Sequence, residues 1–167
     1  MTAGLTDKQV YSGMKPKFPS GSAYVAPVAK KASAKPSDYV KAAQTFLNSR
    51  SYPSKDKGNF DKLTVDGFSG PKSLEAALRI LQYFGKVEVD GVWGPKTEDA
   101  CLSIERNSPY EWWSHLAQAA LNLNGASLKV DGVIGSGTES AIKSFQKSNG
   151  LKADGIIGAL TWEALLD

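Results

Sequence analysis

A chain of 167 residues that is 41% hydrophobic can bury one ordinary core or two small ones, so it is not disordered throughout. Six lysines (Lys8, Lys15, Lys17, Lys30, Lys31, Lys35) against Asp7 give residues 1–37 a local charge of +5, and the total of +3 then leaves the other 130 residues at −2. The basic balance belongs to an N-terminal arm and gives no support to nucleic-acid binding by the folded part. The single cysteine, Cys101, and the single histidine, His115, exclude an internal disulfide and argue against zinc, Ser-His or Cys-His chemistry. No catalytic residue, metal site or cofactor is expected.

In chain order, the segment from Pro16 to Ser37 is built from Pro, Ser, Ala, Gly, Lys and Val without sustained periodicity and reads as an extended, flexible arm. No apolar run is long enough to cross a bilayer. Met1 to Asp7 lacks a charged-then-apolar signal sequence, so the chain is expected to be made in the cytoplasm. A helix is predicted over Asp38 to Asn48, carrying Gln44 and Leu47.

Beyond the arm the decisive feature is a repeat. Four segments share the form Asp-Gly-x-x-Gly-x-x-Ser/Thr, starting at Asp66, Asp90, Asp131 and Asp154. Their aspartates lie 24 and 23 residues apart within pairs and 65 and 64 between corresponding members, so a paired unit has been duplicated. Asp-Gly favours a tight turn, because the carboxylate can accept nearby N–H groups and glycine tolerates positive φ. The second glycine lets the backbone swing into a helix, with Pro71 and Pro95 placed in the first turn, where proline is tolerated.

Leu74, Ala77, Leu78 and Leu81 then form one apolar stripe on a helix over about 71 to 84, and Ala141, Ile142 and Phe145 give the matching stripe in the second pair. Gln82 stands eight residues before Asp90 as Gln146 stands before Asp154. A leading helix from Pro109 to Leu123, with Gln118 and Leu121, matches the first one. Ser108 and Glu111 read as its capping box, with Pro109 at the first helical position. The first repeat carries nine extra residues, an inserted loop around Ser51 to Asp61. The expected organisation is an arm at 1–37, a first repeat at 38–106 and a second at 107–167. The expected fold is all-α: two similar small three-helix bundles in tandem, with short extended segments leading into the Asp-Gly turns.

Two chemistries compete with a folding role for the aspartates. A calcium loop needs oxygen ligands two and four residues before Asp-Gly, but those positions hold Thr64 and Lys62, Glu88 and Lys86, Lys129 and Ser127, and Lys152 and Gly150. A glycosidase needs one unique carboxylate pair, whereas these acids recur at equivalent turns. Repetition favours structure.

The run Val130-Asp131-Gly132-Val133-Ile134-Gly135, Thr138, Phe145-Gln146, Gly150-Leu151, Asp154-Gly155-Ile156-Ile157-Gly158 and Thr161-Trp162-Glu163-Ala164-Leu165 resembles the three-helix peptidoglycan-binding domain. Residues from about Asp38 to Ile104 resemble it more loosely, with Ser69 in place of an apolar residue and Ser73 in place of threonine. The resemblance implies non-catalytic binding of peptidoglycan, by sugar or stem peptide. It implies targeting of a fused or associated wall hydrolase such as a phage endolysin, acting at the wall after release from the cytoplasm. The other reading is an assembly module whose repeats bind a protein partner. Neither involves nucleic acid or membrane insertion.

Shallow grooves beside the helix N-termini would bind the ligand, with Gln44, Asp66, Tyr83, Trp93, Lys96, Thr97, Gln118, Asp131, Thr138, Gln146, Asp154 and Trp162 as candidate contacts. Trp93 and Trp162 fit core packing as well as ligand contact. Tyr83, Tyr110 and Tyr52 suit stacking on sugars. Adjacent helical residues point about 100° apart, so of Trp112 and Trp113 one is expected to pack between the repeats and the other to be partly exposed. Cys101 is expected as a small core residue on a helix, and His115 at a helix surface or interface.

Overall fold

A computed structural model describes residues 35–50, 53–54, 58–59 and 62–167. The arm before residue 35, together with Tyr52 and most of the insertion, lies outside the described residues. Six helices are present among those described: α1 (Asp38–Asn48), α2 (Pro71–Phe84), α3 (Pro95–Ala100), α4 (Glu111–Leu123), α5 (Ser136–Ser148) and α6 (Ala159–Leu166). The architecture is all-α, as the repeat pattern predicts. Within the insertion, Pro53–Ser54 and Gly58–Asn59 form one short antiparallel β pair. No helix among the described residues is long and apolar enough to cross a membrane.

The helix starts follow from local chemistry. Ser37 caps α1 by accepting the Val40 N–H at 3.4 Å. Gly70 and Gly94 stand at the N-caps of α2 and α3, and Pro71 and Pro95 follow, where no N–H is needed. The expected capping box at Ser108 does not form. The Ser108 hydroxyl instead accepts the Glu105 N–H at 2.8 Å, so the chain turns once more and α4 begins at Glu111 rather than Pro109. Asn107 just before it takes φ +62, a left-handed conformation asparagine tolerates. Cys101 is buried as expected, but it lies one residue past the end of α3, not on a helix.

Among the described residues one buried cluster joins α1, α2, α4, α5 and α6. Leu47 of α1, Ile80 and Leu81 of α2, Leu116 and Leu121 of α4, Ile142 of α5 and Trp162 and Leu165 of α6 are all almost fully enclosed. The most extensive helix pairing is α1 against α4, the leading helices of the two repeats. They run antiparallel, because Phe46 stacks on His115 while Asn122 donates to the Tyr39 carbonyl at 3.2 Å. Trp113, 8% exposed, lies between Phe84 and Trp162 at centroid distances of 5.9 and 6.0 Å, and Trp112 is 45% exposed. One indole is thus buried and the other partly exposed, as the 100° separation requires, and the structure identifies Trp113 as the buried one.

The insertion is closed at its stem. Asn48 and Asn122, each four residues after a helix glutamine, clamp a leucine through both amide atoms: Asn48 with Leu63 at 2.8 and 2.7 Å, Asn122 with Leu128 at 2.8 and 2.8 Å. The spans closed are 15 and 6 residues, and the difference is the nine inserted residues. Extra chain is tolerated because the bonds that matter lie below it.

On α6, burial first and then the neighbouring carboxylates of Asp167 and Glu98 hold the Glu163 carboxyl above its ordinary range. A raised folded value means that the group favours folding fully below its unfolded pKa and loses that contribution as pH rises through the folded one. Replacing Glu163 with glutamine is therefore expected to raise the melting temperature near pH 7, with the gain fading as pH falls to about 4. A pH-independent change would show that desolvation of this carboxylate is not the cause.

Candidate functional site

The four Asp-Gly turns are built alike, each around a glutamine buried on the preceding helix. In the third, the Gln118 Nε2 lies 3.0 Å from Asp131 Oδ1, 3.0 Å from the Val133 carbonyl and 3.4 Å from Thr138 Oγ1. Two N–H groups thus serve three acceptors. Its Oε1 accepts the N–H groups of Gly132 and Asp131 at 2.8 and 3.0 Å, and Asp131 Oδ1 accepts the Val133 N–H at 3.0 Å. Gln82 repeats this with Asp90, Gly91, Val92 and Thr97, and Gln146 with Asp154, Gly155, Ile156 and Thr161. Gln44 does so with Asp66, Gly67 and Phe68. The glycines take φ values from +73 to +80, which other residues rarely adopt.

The first turn departs at the two positions where its sequence departs. Ser73 is buried, and no bond joins it to Gln44 as Thr97, Thr138 and Thr161 are joined to their glutamines. Ser69 instead donates to the Leu123 carbonyl at the end of α4, 2.6 Å away. An apolar residue could not make this bond. The serine ties the first turn to the second leading helix.

These contacts set the acidity of the turn carboxylates. Asp66 is held below the usual range mainly by the Gln44 amide, Asp131 mainly by the Gln118 amide, and Asp90 mainly by the Val92 N–H. Carboxylates held ionised by their own fold are poor general acids.

A second repeating element was not recognised from the sequence. Three residues before Gln82, Gln118 and Gln146 stand Arg79, His115 and Lys143, and the side chain of each lies over the glycine of the turn that its glutamine clamps. Four residues earlier again stand Glu75, Glu111 and Glu139. Glu75 pairs with Arg79 at 3.0 Å and Glu139 with Lys143 at 2.7 Å, and His115 Nδ1 lies 2.8 Å from the Glu111 carbonyl. Lys143 is the main reason that Glu139 sits below the usual carboxylate range. The signal was the spacing Glu-x-x-x-Arg/His/Lys-x-x-Gln.

The candidate contacts fall into separate turns rather than one cleft. Gln44, Thr97, Gln118, Thr138 and Gln146 are buried, with their polar atoms engaged inside the turns. Trp162 is fully buried and donates its indole N–H to the Leu102 carbonyl at 2.8 Å, while Trp93 is partly buried against the core. Asp66 and Asp131 are exposed, and Asp154 is half-buried. Tyr83 and Lys96 are exposed, as are Val92 and Val133 at the tips of the second and third turns. A hollow of about 360 Å³ lies along the connection before α4, walled by Glu105, Arg106, Asn107 and Tyr110, and of the residues expected to meet the wall it holds Tyr110 alone.

Comparison with known proteins places part of this geometry. Residues 115–165, from within α4 to the end of α6, match the peptidoglycan binding domain family. A protein of Kitasatospora aureofaciens, described as uncharacterized and lying in the bpoA1 3' region, is 53% identical over 36 residues, 22% of this chain and 30% of its own length. A crystal structure of a peptidoglycan-binding protein from Clostridioides difficile in complex with glutamine hydroxamate is 40% identical, with a TM-score of 0.37 over 39% of this chain and 40% of that one. The chain thus spans well under half the length of either relative.

Proposed function

We propose, from the match of residues 115–165 to the peptidoglycan binding domain family, that the chain is a non-catalytic module that holds a peptidoglycan hydrolase of the endolysin kind on the bacterial wall. The family match across α4 to α6 carries this reading. The likeness of the first pair of Asp-Gly turns to the second supports two repeats, 38–106 and 107–167. The exposed residues at the turns, Tyr83, Lys96, Val92 and Val133, are those placed to meet the wall, and the buried glutamines and threonines hold the turns that present them.

The hydrolase, fused or associated, would supply the chemistry, and the chain would raise its concentration at the substrate. Purified chain mixed with sacculi at about 0.15 M salt is expected to sediment with them, to be released by excess soluble muropeptides, and to liberate no reducing ends or amines. Protein that stays in the supernatant would overturn the wall reading and favour an assembly module with a protein partner. Turnover abolished by a single carboxylate substitution would overturn the non-catalytic one.

A further inference from the structure

The seam between α1 and α4 carries a cluster of which only His115 also belongs to a turn. Arg50, just beyond α1, places its guanidinium carbon 3.8 Å from the ring centroid of Trp112 on α4 and 5.7 Å from that of Phe46. His115 closes the group, stacked on Phe46 at 5.4 Å and tilted against Trp112 at 5.5 Å. Each of the four groups touches two others, with Phe46 and Arg50 supplied by α1 and the residues just after it, and Trp112 and His115 by α4. Phe46 is buried, but Trp112 is 45% exposed.

Two features make this a surface for a ligand rather than a packing solution. An exposed indole costs apolar hydration, and here it is held between two neighbours, Arg50 and His115. The guanidinium is engaged at Nε by Ser49 Oγ at 3.3 Å, and no carboxylate pairs with it among the described residues. Glu111, next to Trp112 in sequence, leans toward Gly132. An arginine stacked on an aromatic ring keeps its in-plane N–H groups for a carboxylate, and a flat apolar ring fits the C–H face of a pyranose.

We propose that Arg50 and Trp112 form a composite site for the junction where an N-acetylated sugar carries an acidic peptide. The sugar ring lies against the indole, and the peptide carboxylate meets the guanidinium. The proposal rests on the wall-binding reading and names the part of the wall that is read. Because Arg50 and Trp112 come from different repeats, the site exists only when α1 and α4 are paired.

The test uses the full chain and a soluble disaccharide of N-acetylglucosamine and N-acetylmuramic acid bearing an L-Ala-D-Glu dipeptide, titrated by calorimetry. Arg50→Ala and Trp112→Ala are each expected to weaken binding by about tenfold or more with unchanged circular dichroism and melting temperature. The neutral N-acetylglucosamine disaccharide should bind more weakly and be indifferent to Arg50→Ala. Arg50→Lys should not restore full affinity, since lysine lacks the planar fork. Binding of the glycopeptide within about twofold of the parent in both alanine variants would overturn the proposal. The same variants are then sedimented with sacculi. If parent and variants sediment alike and the glycopeptide titrations do not differ, the wall reading stands and the platform falls. If the glycopeptide needs Arg50 but no protein sediments, the platform stands and binding to the intact wall falls.

Discussion

Replacing Gln118 with glutamate is expected to destabilise the protein by about 3–5 kcal/mol, more than replacing it with leucine, although glutamate has nearly the same shape. The side chain is 1% exposed and its amide serves both sides of the third turn. Glutamate keeps the acceptor for the Gly132 N–H but loses both donors. It also turns a carboxylate oxygen toward Asp131 Oδ1 and the Val133 carbonyl, positions now 3.0 Å from the amide nitrogen. Like charges at that distance cannot both stay ionised without a large penalty. Leucine removes the bonds without adding repulsion, and water can reach the exposed side of the turn, so about 2–3 kcal/mol is expected.

In a chain of this length each kcal/mol lowers the melting temperature by about 2–4 °C. The glutamate variant should also regain stability in acid: its folded pKa is raised, so its folding contribution is full below the unfolded value and lost as pH rises through the folded one. A pH series of thermal melts on both variants checks the order. Melting points within about 2 °C of the parent would show that the glutamine is not what holds the turn.

The parts of this architecture governed by local chemistry could be read in advance. The helices expected from Asp38 and from about residue 71 begin there, at the Ser37 cap and at Gly70 followed by Pro71. The four turns were legible because Asp-Gly-x-x-Gly-x-x-Ser/Thr is a contiguous, local pattern, whereas the clamping glutamine stands eight residues before Asp90 and Asp154 but 22 and 13 before Asp66 and Asp131. The failure at Ser108 was also local in cause: a serine hydroxyl can take either the N–H ahead of it or one behind, and the sequence alone does not say which. Ser69 illustrates a different limit. Its departure from the repeat was visible, but its meaning depended on Leu123, 54 residues away. The cluster of Arg50, Trp112, His115 and Phe46 was invisible for the same reason, since it depends on which faces of α1 and α4 meet. Among the candidate contacts, residue type misled where a polar side chain was assumed to face a ligand. Gln44, Gln118 and Gln146 are polar because the backbone of a turn needs both a donor and an acceptor.

Residues 107–167 produced alone are expected not to fold cooperatively, even though they contain the whole segment that matches the family. In this chain α4 is enclosed on several sides: Trp113, Leu116, Ala117, Ala119, Ala120, Leu121 and Leu123 are all buried. Removing residues 1–106 takes away α1, its most extensive partner, and α2, its next. It also removes Phe46 from His115, Phe84 from Trp113, and the Tyr39 carbonyl and Ser69 hydroxyl bonded to Asn122 and the Leu123 carbonyl. Each large apolar side chain returned to water costs about 1.5–3 kcal/mol. Re-exposing even four would cancel most or all of the 5–15 kcal/mol that ordinarily separates folded from unfolded chains. The fragment should therefore show poorly dispersed amide resonances and a broad thermal transition, or else self-associate through the bared face of α4. Adding residues 35–106 in trans should restore dispersion by covering that face. Should the fragment melt sharply within about 5 °C of the full chain, α1 would be an ornament on a self-sufficient domain, and a binding site shared between α1 and α4 would lose its structural basis.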